Sequence, residues 1–238
     1  VALGFWLRQG NINSIIKNSF LTSKTLFLKP KGLVFHVTPS NVDTIFIYSW
    51  IISLLCGNKN IVRISSKNKS IEYIKLFDIV EKLFNDKKWE EISKRNVFVN
   101  YEHNDELNNF FSSKCNVRIL WGGNQTINKF RNYKLNPYAS EICFANKLSL
   151  SVLEANSILN LSNDDIKNLT RKFINDAYAF DQKACSSPRL LAWYGKRDEI
   201  SIAKNIFWEN IKEELDKLNF EFNESDSFNK LLASNSLS

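Results

Sequence analysis

From Gly32 to Trp121 the chain alternates short, nearly continuous apolar runs with longer stretches whose apolar residues recur every three to four positions. "GLVFHV" (32–37), "NIVRIS" (60–65), "VFVNY" (97–101) and "VRILW" (117–121) are short and rich in β-branched and aromatic residues, so they read as buried strands. Between them, 42–56 is an apolar helix stopped by Gly57, "SIEYIKLFDIVEKLF" (70–84) is an amphipathic helix, and a short helix lies near 104–112. A further helix starts after Gly122-Gly123. Strands and helices in this alternation, with short connections, give an α/β fold with a parallel sheet covered on both faces. Ahead of it, residues 1–21 form an amphipathic helical segment with Phe5, Trp6, Ile15, Ile16 and Phe20 as its apolar contacts, before "KPKG" (29–32) breaks the chain. From about 140 the character changes. "EICFANKLSLSVLEA" (141–155) is strand-like, "NDDIKNLTRKFINDAYAF" (163–180) helical, "RLLAWYG" (189–195) a strand, and "DEISIAKNIFWENIKEELDKL" (198–218) a long amphipathic helix. These shifts give an N-terminal helical segment (1–25), a first domain (26–140) and a second (141–238).

Length and composition narrow the classes. With 238 residues, 44% of them hydrophobic, the chain can bury a substantial core in one large domain or two modest ones. A net charge of +7 and a pI near 9.1 raise the question of a nucleic-acid partner. The charges are interleaved, however, as in "NDKKWEEISKR" (85–95), whereas a polyanion-binding arm carries blocks of one sign. No nucleic acid is expected; a phosphate-rich small ligand suits the excess equally well. Cys56, Cys115, Cys143 and Cys185 include no C-x-x-C pair, and His36 and His103 have no ligand partner at helical spacing, so no metal site is expected. The cysteine usage points to a reducing cytoplasm. The most hydrophobic run, 42–56, is 15 residues long with Asp43 inside it, which is short for a membrane span. Starting at Val1, without any methionine and ending in "LLASNSLS", the chain reads as part of a longer one.

Four stretches carry candidate chemistry. "VTPSNV" (37–42) stands at the first strand-to-helix switch, where a dinucleotide-binding G-x-G-x-x-G is absent. Asn41 there suits a helix N-cap, or an amide donating to an oxyanion. "RISSKNK" (63–69) ends the second strand with hydroxyls and lysines, and "LWGGNQTI" (120–127) runs a strand into paired glycines whose backbone lets a phosphate approach a helix start. In "DQKACSSPRL" (181–190), Cys185 is either a small core residue or a nucleophile.

In order and spacing, "PKGLVFHVTPSNVDTIFIYSWIISLLCGNKNIVRISSK", "WGGNQTI", "FANKLSLSVLE" and "DQKACSSPR" resemble the bacterial acyl-CoA reductases, among them the long-chain fatty-acid reductase of bacterial luminescence. These are a branch of the aldehyde dehydrogenase superfamily. The resemblance covers most of 28–195 and implies an aldehyde-dehydrogenase-like fold: a Rossmann-type NAD(P)-binding domain followed by an incomplete catalytic domain. It implies Cys185 as the acyl-carrying cysteine and Asn41 as an oxyanion-hole donor. Thr38 and Pro39 would run beside the cofactor, and Gly122 and Gly123 would face its pyrophosphate. Where aldehyde-oxidising relatives carry Lys and then Glu at the adenosine ribose, this chain has Ser65 and Asn68, with Ser66, Lys67 and Lys69 adjacent. Losing the carboxylate favours NADPH, with NADH possible. At the oxidisers' general-base position stands Cys143, with Glu141 two residues earlier and on the same strand face, so a register slip would bring in Glu141. Without a base, water attack is slow and reduction is favoured. No histidine neighbours Cys185 in sequence; Lys183 or backbone dipoles are the candidates for depressing its pKa. The implied substrate is a fatty acyl-CoA or acyl-carrier thioester. The implied partners are a second copy of the chain, or an acyl-activating or acyl-transferring enzyme. The alternatives are an aldehyde-oxidising dehydrogenase using Glu141, and a non-enzymatic basic binding module.

Overall fold

The computed structural model describes residues 2–19, 29–39, 44–65, 70–178 and 186–220. The chain divides into two compact units, Val1–Asn146 and Lys147–Ser238. The first begins with two helices, α1 (Ala2–Trp6) and α2 (Gln9–Asn18), in place of one continuous segment. There follow β1 (Leu33–Val37), α3 (Ile45–Leu55), β2 (Lys59–Ile64), α4 (Ile71–Asn85), a 3₁₀ turn (Lys87–Trp89) and α5 (Glu90–Ser93). The unit is completed by β3 (Asn96–Asn100), α6 (Asp105–Lys114), β4 (Val117–Trp121), α7 (Asn124–Arg131) and β5 (Ser140–Phe144). The five strands form one sheet in the order β3-β2-β1-β4-β5, and every pairing is parallel.

Alternation along each strand divides the core between the two faces of the sheet. Phe35, Val37 and Leu120 pack with Phe111 of α6 and with Ile127 and Phe130 of α7. Val62 and Ile64 face the other way, against Phe46, Ile47 and Trp50 of α3 and Tyr73 and Val80 of α4. The apolar run expected as a helix over 42–56 is α3, 11 residues long. It is buried by the sheet on one side, and no described helix is long and apolar enough to cross a membrane. Gly57, at φ +78, ends it. Ser70 caps α4 by accepting from the Tyr73 amide at 3.2 Å, and Asn104 caps α6 by accepting from the Leu107 amide at 2.9 Å.

The second unit holds β6 (Ser149–Glu154), α8 (Ala155–Leu159), α9 (Asn163–Tyr178), β7 (Pro188–Tyr194) and α10 (Arg197–Lys217). β6 and β7 pair in parallel, and Ala155, Ile158, Ile166, Ile174, Ala203, Phe207 and Ile211 form the core. Glu214 of α10 accepts from Arg171 of α9 at 2.8 Å and from Lys217 at 2.8 Å. Hydrogen bonds from Arg171 and Lys217 hold its carboxyl down at about 2. The strand-like stretch 141–155 is thus two strands in two sheets, with Ala155 already helical. The intervening residues 145–148 contain neither Gly nor Pro, and Asn146 alone marks the break in the sequence.

Candidate functional site

In a doubly wound sheet the crevice for a ligand opens at the carboxyl edge where the strand order reverses. That reversal is at β1, which has β2 on one side and β4 on the other. Val37 is in register with Arg63 and with Leu120, so the exits of the three strands lie side by side. This places Thr38 and Pro39, Ser65, and Gly122 and Gly123 along one edge of the sheet. Thr38 donates both its amide and its hydroxyl to the Arg63 carbonyl, at 3.2 and 2.9 Å, tying the β1 exit to β2. The Gly122 amide donates to the Phe144 carbonyl at 3.2 Å, and Trp121 stacks on the Phe144 ring at 3.7 Å between centroids.

A Cβ at Gly122 would lie 3.2 Å from the Thr126 side chain, tighter than ordinary contact. Gly123 is the N-cap of α7, with no side-chain cap and no acidic residue in the first turn, whereas Ser70 and Asn104 cap α4 and α6. Side-chain-free glycine at this start leaves the first-turn amides open to an external anion. That donor chemistry suits a phosphate group. Asn41, Ser66, Lys67 and Cys185 lie outside the described residues, as do Asn68, Lys69 and Lys183.

Glu141 is committed elsewhere. It sits on β5 opposite Arg118 of β4, whose side chain is 2% exposed. Arg118 donates Nε to Glu141 Oε2 at 2.9 Å and Nη2 to the same oxygen. Arg131 of α7 donates to Oε1 at 3.1 Å, and the Cys143 thiol to Oε1 at 3.3 Å. Burial pushes the Glu141 carboxyl up, but the hydrogen bonds from Arg118, Cys143 and Arg131 outweigh it and hold the pKa below the usual carboxylate value. A general base needs a free lone pair and an affinity for protons near the working pH; this carboxylate has neither. Cys143 is pushed up by burial and then by Glu141, so its thiol stays protonated at neutral pH. Its side chain lines a shallow cavity of about 250 Å³ with Asn124, Ile127, Asn128, Arg131 and Ala145.

Arg63 and Arg118 were not singled out by sequence reasoning, and His36 was weighed there only as a metal ligand. Arg63, half-buried near the end of β2, lies 4.7 Å over the Tyr101 ring and reaches the Tyr101 carbonyl only at 3.5 Å. Its Nε is buried with no partner. His36 is fully buried in β1, bonded through Nδ1 to Ser49 at 2.8 Å and through Nε2 to Asn60 at 3.0 Å. Burial lowers its pKa to about 4 against the opposing Asn60 bond, so it is neutral. An arginine inside an otherwise apolar strand, as in "NIVRIS" and "VRILW", is the signal that would have found Arg63 and Arg118. Among the described residues no cluster of three His, Cys, Asp or Glu could hold a metal ion.

A family model described as acyl-CoA reductase (LuxC) matches residues 16–222. Comparison with curated proteins gave no match. Solved structures with the same fold include an NADP-dependent enzyme of E. coli (TM-score 0.59, 11% identity, 79% of this chain and 36% of that one). Another is an NAD-dependent benzaldehyde dehydrogenase of Corynebacterium glutamicum (0.56, 14%, 77% and 37%). A third is a glyceraldehyde-3-phosphate dehydrogenase of Methanocaldococcus jannaschii complexed with NADP (0.57, 13%, 77% and 38%). The chain therefore spans little more than a third of the length of the structures it matches.

Proposed function

The chain belongs to the acyl-CoA reductase family, and from that premise we propose that the whole protein reduces a fatty acyl thioester, on coenzyme A or an acyl carrier, to an aldehyde with NADPH. The single observation that carries this reading is the family match across residues 16–222. Cys185, as thiolate, attacks the thioester carbonyl; the oxyanion accepts from the Asn41 amide and the Cys185 backbone N–H; the carrier thiolate leaves and takes up a proton. The acyl group then rests on Cys185. When bound, the dinucleotide supplies the hydride that reduces it. Gly122 and Gly123 would hold the pyrophosphate at the uncapped start of α7. Thr38 and Pro39 would run beside the cofactor, and Ser65, Ser66 and Lys67 would face its ribose.

The second reading, oxidation of an aldehyde to an acid, requires a base to activate water against the acyl group. The clamp of Arg118 and Arg131 on Glu141 counts against that residue. Supply of radiolabelled acyl-CoA to the full-length protein should label the polypeptide, and Cys185→Ala should remove the label entirely. Label retained in the alanine variant would sink the role assigned to Cys185.

A further inference from the structure

The sheet carries two arginines that point into its α6–α7 side, and they meet opposite conditions. Arg118 has a carboxylate at hydrogen-bond distance. Arg63 has none: among the described residues no carboxylate pairs with it, and its contacts are the Tyr101 ring at 4.7 Å and the Tyr101 carbonyl at 3.5 Å. Yet it is half-buried and its Nε is sealed from solvent without a partner. A guanidinium partly withdrawn from water without a counter-ion carries a cost that an arriving anion offsets. Its place is informative as well. Arg63 lies two residues before Ser65 at the exit of the second strand, in register with Val37 of β1 and Val99 of β3. In dinucleotide-binding sheets this is where the adenosine ribose sits, with a carboxylate for a bare 2′-hydroxyl or an arginine for a 2′-phosphate.

The Tyr101 ring that stacks on Arg63 is itself held in place. The Tyr101 hydroxyl donates to Asn108 Oδ1 at 2.8 Å, and burial pushes its pKa up to about 12, so the phenol stays neutral. Asn108 in turn donates to the Tyr133 hydroxyl at 3.5 Å, and Tyr133 donates to Asp105 at 2.6 Å. A stacked guanidinium on a braced aromatic is pre-organised, and its planar fork matches a phosphate in a way that an ammonium does not.

We propose that Arg63 is the residue that reads the 2′-phosphate of the dinucleotide and so sets the preference for NADPH over NADH. The assignment rests on the dinucleotide reading given above. The test is a binding measurement that needs no turnover. The chain is titrated with 2′,5′-ADP and with 5′-AMP by calorimetry, and thermal unfolding is followed with and without each nucleotide. The native chain should favour 2′,5′-ADP, and Arg63→Gln should weaken that ligand about 10- to 100-fold while leaving 5′-AMP unchanged. Without ligand the variant should still unfold in one cooperative transition, so that a loss of 2′,5′-ADP binding is not a loss of fold. Arg63→Lys should recover only part of the affinity. If the native chain binds both nucleotides equally, or if the variant weakens both alike, the role of Arg63 is overturned while the dinucleotide reading stands. If neither nucleotide binds the native chain, both fall together.

Discussion

His36, Arg118 and Arg63 show three ways for a strand to carry a polar side chain inward: neutral and hydrogen-bonded, charged and paired with a carboxylate, charged and stacked on an aromatic ring. The first makes a direct prediction. Ser49 and Asn60 are the partners of the ring, and neither bears charge, so the fold accepts only the neutral imidazole. Its pKa is lowered from 6.5 to about 4 by burial. Below pH 6.5 the unfolded chain binds a proton that the folded chain refuses, so this contribution to stability is whole above 6.5 and is lost as pH falls toward 4. The slope approaches about 1.4 kcal/mol per pH unit for a single site. Urea midpoints compared at pH 7 and pH 5.5 should fall for the native chain and fall much less for His36→Gln. Equal drops would mean that carboxylates elsewhere carry the acid sensitivity. Glu141 contributes with the usual acidic sign: its folded pKa is depressed, so what it adds holds at neutral pH and disappears only as pH falls through that lower value.

Among the elements, local chemistry decides the ends. Gly57 follows α3 at φ +78, and a Cβ there would stand 2.9 Å from Pro30 Cγ. Gly57→Ala should therefore cost about 1–2 kcal/mol from the left-handed backbone alone, with the contact adding to it. A denaturation midpoint unchanged by the substitution would show that the turn relaxes freely. This stop was legible in sequence because glycine ends helices for a conformational reason. The four strands from 33 to 121 were legible for a similar reason: each is a dense run of β-branched and aromatic residues, and a parallel sheet buries both of its faces. The break between β5 and β6 was not. Asn146 is the one turn-favouring residue there and is too weak a signal alone, so tertiary pairing separates Glu141, opposite Arg118, from Leu150, opposite Leu190. The α1–α2 break around Leu7 and Arg8 was hidden likewise, since neither residue disfavours helix strongly.

At the scale of the molecule, the carboxyl edge of the sheet was legible wherever glycine or hydroxyl residues followed a strand, and illegible wherever the decisive fact was what a charge lacked. Gly122 and Gly123 stand out in a string of letters; that Arg63 meets no carboxylate among the described residues appears only when β1 and β3 are set beside it in register. The net charge of +7 is a separate question of scale. If that excess served a polynucleotide, six to ten phosphate contacts would make affinity fall about 10³- to 10⁵-fold between 50 and 200 mM salt. The ion pairs described on the surface instead mix signs, as Lys94 does with Glu90 and Glu91, and Arg95 with Glu91. A dinucleotide engages only a few phosphate charges in one crevice, so its binding should weaken by less than about 10-fold over that salt range. Calorimetric titrations of NADPH at 50 and 200 mM salt, set beside titrations of single- and double-stranded DNA, distinguish the two. Tight DNA binding with a steep salt slope, and NADPH binding absent, would return the chain to the class of basic binding modules; a shallow slope for NADPH, with DNA binding weak, would mean that the excess charge serves no polynucleotide.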